Sequence, residues 1–262
     1  MNTIKLEAWN THEPSTKLVK PTYGFIDSSK IIDTFQSKGW ECISAKQAST
    51  KSVDRQGYQK HLLKFTHNDF PLVEGLSDDN KSRPELVLLN SHDGTSAMRL
   101  FFGFTRIACL NGIIAGTAFS SIRLIHNQNM IKGIDNAIET MVSGLPDVLN
   151  KVRHFSTIQL NETKMIELAR RAAELRLHST KNVEDVNLYG MFNLNRYQDQ
   201  GSDAYTLFNV VQEKVIRGGI KYKQLNEKTN FVEKRTTRAI RSVSQSVKLN
   251  QGLWNILEEI TA

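Results

Sequence analysis

ELVLLN (85–90), SHDGTSA (91–97), MRLFFGFTRIACLNG (98–112) and IIAGTAF (113–119) follow Pro84 without a break and carry the densest apolar content in the chain. Short apolar runs bounded by Asp93-Gly94 and Asn111-Gly112 predict strands joined by tight turns, because these dipeptides tolerate the positive φ that such turns require. Met98, Leu100, Phe102 and Phe104 recur at a period of two, so a strand puts them on one face and Arg99, Phe101 and Thr105 on the other. Gly103 lies inside this run. A glycine there marks a bulge, which would bring Arg99 and Arg106 onto a common face.

Working outward, SSKIIDTFQSKG (28–39) predicts a helix capped by Ser28 or Ser29 and ended by Gly39. Residues 40–48 and 58–66 predict a hairpin with 51–57 as its loop, and 72–84 reads as a surface or binding loop. A further strand is expected over 113–125. About five strands in succession favour an antiparallel meander over a parallel βαβ sheet. The pattern then turns helical: Met130, Ile134, Ala137, Ile138, Met141, Val142, Leu145, Leu149 and Val152 recur every three or four residues, disturbed only at Gly144 and Pro146. Asn161-Glu162 opens a second helix and Ser202-Asp203 a third, which Gly218-Gly219 ends. The expected fold is therefore α+β. An irregular segment (1–22) precedes a β-rich core (23–128) with one early helix, and a mainly helical region (129–262) follows. Trp9, Trp40 and Trp254 are expected to pack in the interior.

Charge is concentrated in one place. Between residues 213 and 248, Lys214, Arg217, Lys221, Lys223, Lys228, Lys234, Arg235, Arg238, Arg241 and Lys248 stand against Glu213, Glu227 and Glu233, which equals the whole net charge of +7. Residues 230–249 fit an amphipathic helix: with Lys234 set to zero on a wheel, Arg238, Arg241 and Lys248 fall within about 40° of it. Val232, Ala239, Ile240, Val243 and Val247 gather opposite. A basic stripe of this kind fits a nucleic-acid backbone, because it displaces counterions and the arginine fork grips phosphate oxygens. The alternative is a solvated helix face. The candidate contact residues are Lys221, Lys223, Lys234, Arg235, Arg238, Arg241 and Lys248, with Arg99 and Arg106 from the core.

Ser91-His92-Asp93, with Cys109 a strand away, contains the residue types of a nucleophile and its base. Adjacent residues alternate faces on a strand, so a turn held by Asp93 and Thr95 is the competing reading. Cys42 and Cys109 stand in no metal or redox spacing, the seven histidines include no HxxxH or HExxH, and phosphate-binding glycine loops are absent. No catalytic residue, metal or cofactor is expected. The amino terminus shows no apolar signal-peptide core and no run of eighteen apolar residues occurs, so a cytoplasmic location without a membrane partner is expected.

NSHDGTSAMRLFFGFTRIACLNG, TLFNVVQEKVIRGG and RAIRSVSQSVKLNQGLW together resemble the phage/plasmid-like proteins of domain of unknown function 932, over about 23–257. Ser91, His92, Asp93, Gly94, Arg99, Arg106, Cys109, Asn111, Gly112, Asn209, Gln212, Glu213, Gly218, Gly219, Asn250 and Trp254 carry the resemblance. It implies a gene of phages, plasmids or integrated elements in a bacterial host and brings no established activity with it. In order of elements the chain is also similar to the single-strand annealing proteins of phages, which form rings around nucleic acid; that analogy implies a homo-oligomer. The reading favoured is a non-enzymatic DNA-binding protein acting in single-strand binding or annealing, recombination or protection of element DNA. Two alternatives stand beside it: an inhibitor of a host defence system acting by protein–protein binding, and a nucleic-acid-processing enzyme.

Overall fold

Asp27, not Ser28 or Ser29, caps the first helix: its carboxylate accepts from the Ser29 amide at 2.9 Å, and α1 runs over Ser28–Ser37 until Gly39 takes a φ of +82°. The computed structural model describes residues 8, 11–70, 72–73, 81–106, 111–115, 121–127, 129–180 and 183–262. Trp9, Cys109 and most of the 72–84 loop lie outside them.

Six strands form one antiparallel sheet: β1 (Trp40–Gln47), β2 (His61–His67), β3 (Ser82–Asn90), β4 (Met98–Arg106), β5 (Asn111–Ala115) and β6 (Ser121–Leu124). The first five are neighbours in sequence order, and β6 pairs with β4. The strand expected over 113–125 is thus two strands, β6 taking the Met98–Phe101 half of β4 with Arg99 opposite Arg123. Met98, Leu100, Phe102 and Phe104 are buried as their period requires. Arg99 is exposed and Arg106 is buried, so the common face expected for them does not form. Seven residues of regular alternation put two side chains on opposite faces. On the helix side, Phe35 of α1 stacks on Phe65 of β2 with ring centroids 3.9 Å apart.

The remaining helices are α2 (Met130–Thr157), α3 (Glu162–Leu177), α4 (Ala204–Arg217) and α5 (Val243–Thr261). α2 runs unbroken through Gly144 and Pro146. A second sheet of three antiparallel strands, β7 (Val183–Val186), β8 (Lys221–Asn226) and β9 (Phe231–Thr236), lies among them in sequence. The chain divides into two compact units, and the division differs from the expected boundary at 128. One unit holds the chain up to Leu72 with Arg83–Thr105 and Ile114–Val148; the other holds Val73–Ser82, Arg106–Ile113 and Leu149–Ala262.

The amphipathic helix expected over 230–249 is not there. Its first third is β9, its middle is an irregular link, and only Val243 onward is helical. Two local signals decide this. Ser242 accepts from the Gln245 amide, an N-cap that starts α5 at residue 243, nine residues after Lys234, where the basic stripe begins. The β-branched run Thr236-Thr237 favours extended backbone, and Thr237 and Ile240 donate their amides to Ile220 and Ile216 carbonyls at 2.9 and 2.8 Å.

In the second unit α4 is buried on nearly every side, and α3, α4 and α5 pack against one another. Trp254 of α5 meets Phe155 and Phe208 edge-on at 5.4 and 6.2 Å between ring centroids. Gly218 ends α4 at φ +91°, where a Cβ would stand 2.5 Å from the Thr237 carbonyl oxygen. In the first unit Phe102 carries the core argument: replacing it by alanine should cost about 3–5 kcal/mol in denaturant unfolding. A loss below about 1 kcal/mol would place the core elsewhere.

Candidate nucleic-acid interface

β8 and β9 pair in a register that sets Lys221 opposite Thr236, Lys223 opposite Lys234 and Leu225 opposite Val232. Cross-strand partners and residues two apart share a face, so Lys221, Lys223 and Lys234 stand together on one side of the ribbon. Two like charges directly opposite each other repel. Asp185 of β7 offsets part of this by pairing with Lys223 at 3.0 Å; among the described residues neither Lys221 nor Lys234 has a carboxylate partner. Arg235 points to the other face, beside Tyr222, and is ion-paired with Glu233. A groove of ≈ 780 Å³ runs here, lined by the three lysines, Arg235, Tyr222 and the exposed ring of Tyr189. The Tyr189 hydroxyl donates to Glu162 at 2.8 Å, which steadies the ring.

Three of the expected contact residues, Lys221, Lys223 and Lys234, are thus brought onto one face by strand pairing rather than by a helical stripe, while Arg235 lies on the opposite face of the same ribbon. Arg238 and Arg241 are exposed on the link after β9, and Lys248 is exposed on α5; no common element presents them with the lysines. The alternation in KYK (221–223) was the available signal for β8; 232–235, one apolar residue followed by three charged ones, carries no such period.

The two core arginines part company. Arg106 is 1% exposed and donates to Asp199 at 2.6 Å, so it holds the interior and cannot touch a polymer outside. Asp199 also binds Arg196, which grips Glu213 with two 2.8 Å hydrogen bonds. The Arg196 fork holds the Glu213 carboxyl below its ordinary pKa. Arg99, by contrast, is exposed opposite Arg123, a second pair of like charges on facing strands and one that sequence reasoning missed. It belongs to the first unit.

The model for the domain of unknown function family DUF932 matches residues 16–254. The chain belongs to this family. Two relatives from Escherichia coli (strain K12) are similar to it: UPF0380 protein YafZ, 29% identical over 240 residues, and UPF0380 protein YfjQ, 27% identical over 238, each alignment covering 91% of this chain and 82% of the relative. No solved structure matches the chain. In this DUF932 member many of the residues that carried the resemblance are buried: His92, Arg106, Asn209, Gln212, Asn250 and Trp254. Their hydrogen bonds serve the core, as when Gln212 donates to Asn250 at 2.9 Å.

Ser91, His92 and Asp93 do not converge. Ser91 bonds the backbone of Ser96, and Asp93 accepts from the Thr95 amide and hydroxyl, as the turn reading requires. His92 turns instead to Ser28, whose Oγ lies 2.8 Å from His92 Nε2 and 3.0 Å from His61 Nε2. His61 donates from Nδ1 to the Gln59 carbonyl at 3.0 Å, which leaves its Nε2 to accept the Ser28 proton and obliges His92 Nε2 to donate to Ser28. Such an arrangement activates an alcohol where a substrate can reach it. Here Ser28, His61 and His92 are all fully buried, so the network ties α1 to β2 and to the chain just past β3. Sequence reasoning missed Ser28 and His61 because Ser28 doubles as a plausible helix cap, a duty that Asp27 performs.

Burial lowers the pKa of His61 to about 4 and that of His92 to about 3. Both rings are neutral in the folded chain and take up protons on unfolding below about pH 6.5. Their stabilisation is complete above that value and is lost as pH falls toward 4, at about 1.4 kcal/mol per pH unit for each ring. Denaturant unfolding at pH 6.5 and at pH 4.5 should show this slope, and His92→Gln should roughly halve it. An unchanged slope in the variant would mean that His92 is not buried neutral.

Proposed function

We propose that this protein binds single-stranded nucleic acid, DNA in the first instance, along the β8–β9 ribbon, as a non-enzymatic protein of a phage, plasmid or prophage. The observation that carries the reading is the facing pair Lys223 and Lys234 with Lys221 beside them. A folded chain tolerates like charges on opposed strand positions at a cost, and a phosphate between them turns that repulsion into two attractions. The groove beside the lysines has an exposed tyrosine at its wall. A basic track next to an aromatic ring suits a strand whose bases are unpaired, since phosphates follow the charges and a base stacks on the ring.

Counterion release supplies the test. If about six phosphates are neutralised, affinity for a single strand falls with a log–log salt slope near −4. Lys223→Gln together with Lys234→Gln removes two charges and should reduce that slope by about 1.4. Folding stability should not fall in the Lys234→Gln single variant, because relieving the repulsion offsets any lost contact. A double variant with the original slope and affinity would sink this reading, and binding to a host defence protein would replace it.

A further inference from the structure

Toward its tip the ribbon changes character. Beyond Lys223 and Lys234 the next pair on that face is Leu225 with Val232, and Val232 is 48% exposed. Phe231, opposite Asn226 at the last paired position, is 74% exposed. Among the described phenylalanines it alone is exposed. The turn that follows Asn226 closes through the Asn230 amide to the Asn226 carbonyl at 2.8 Å, with Asn230 in the left-handed region at φ +54° and Lys228 between them. The hairpin therefore holds a large apolar ring in water at the end of a basic strand pair. The nearest acid on β9, Glu233, is occupied by Arg235 and by the Asn226 amide at 2.7 Å.

We infer that the tip, Phe231 with Val232, is a base-stacking element: unpaired bases of a strand whose phosphates follow Lys223 and Lys234 fold over the hairpin end and stack on the Phe231 ring. This rests on the nucleic-acid reading above and adds to it how bases, not only phosphates, are engaged. Phe231 lies three residues from Lys234, about 10 Å along the strand, and on the opposite face of the ribbon, which it shares with Glu233 and Arg235. A strand lying on the lysines therefore reaches the ring by passing over the hairpin end, a span of a few nucleotides. The size of the patch favours this occupant. A stable protein interface buries roughly 800 Å² on each partner, far more than two side chains offer, whereas one ring suffices for one base. In the turn itself Lys228 stands beside Glu227, so the basic charge a strand would follow comes from Lys221, Lys223 and Lys234 at the root side of the tip.

The test uses the full chain and two probes of equal length, a single-stranded oligonucleotide carrying 2-aminopurine and an abasic strand with the same phosphates. Phe231→Ala should weaken the base-bearing strand on the order of tenfold and abolish the 2-aminopurine quenching. Phe231→Trp should restore both, while all three proteins bind the abasic strand alike. Lys223→Gln with Lys234→Gln should weaken both probes. If Phe231→Ala leaves affinity and quenching unchanged while the salt slope persists, the tip proposal is wrong and the ribbon stands. Phe231-dependent binding that prefers duplex over single strand makes the ring an intercalating wedge and overturns single-strand stacking. A Phe231-dependent change in sedimentation without DNA assigns the tip to a second copy of the chain, also against the proposal. No binding of either probe by the unaltered protein at low salt removes both readings.

Discussion

α4 takes Asn209, Gln212 and Glu213 into the interior along with its apolar residues, and a polar side chain left there without a partner costs about 1–3 kcal/mol. Much of the second unit is arranged to meet that demand. α5 brings Asn250 to Gln212, the segment after β7 brings Arg196 to Glu213, and Asp199 on the same segment is held by Arg106. Ser82 adds a 2.8 Å hydrogen bond to the Tyr205 hydroxyl. Because α4 is surrounded, the chain that leaves it at Gly218 has to continue outside the helices, and the link at 237–240 is tied back to 216–220 by backbone hydrogen bonds. Between these anchors the chain forms β8 and β9, whose register fixes which charges meet.

The lysine pair is thus a consequence of packing at the root of the hairpin. A shift of one residue in register would have moved every side chain of β9 to the other face, leaving Lys223 opposite Arg235 or Glu233 in place of Lys234. The observed register puts Lys221, Lys223 and Lys234 on one side and the ion pair of Arg235 with Glu233 on the other. One face is left with excess positive charge and the other is internally compensated.

Residues that look chemical in the sequence serve the cores. Arg106, His92 and Glu213 are ionisable, buried and hydrogen-bonded, and each would be costly to bury alone. The exposed basic residues of the candidate interface look ordinary one by one. Their meaning lies in juxtaposition, and the same holds for Arg99, whose facing partner Arg123 is twenty-four residues on in the chain.

Local signals in the chain suffice for the antiparallel sheet, its early helix and α2: the period of two through Met98–Phe104, the Asp-Gly turn, the Gly39 stop after the apolar stripe of 28–37, and the stripe of α2 are imposed by neighbours in the chain on one another. The sequence by itself also determined where charge accumulates. Composition is additive, so the excess within 213–248 survives any folding of that segment. Tertiary structure alone decided what the charge became. The wheel for 230–249 was consistent with a helix because lysines and arginines satisfy many periods at once. The strand won because β9 gains backbone hydrogen bonds from β8, a partner that no window on 230–249 contains. The same reason governs Ser28: its two histidines lie 33 and 64 residues away, and only the packing of α1 on the sheet brings them within hydrogen-bonding distance.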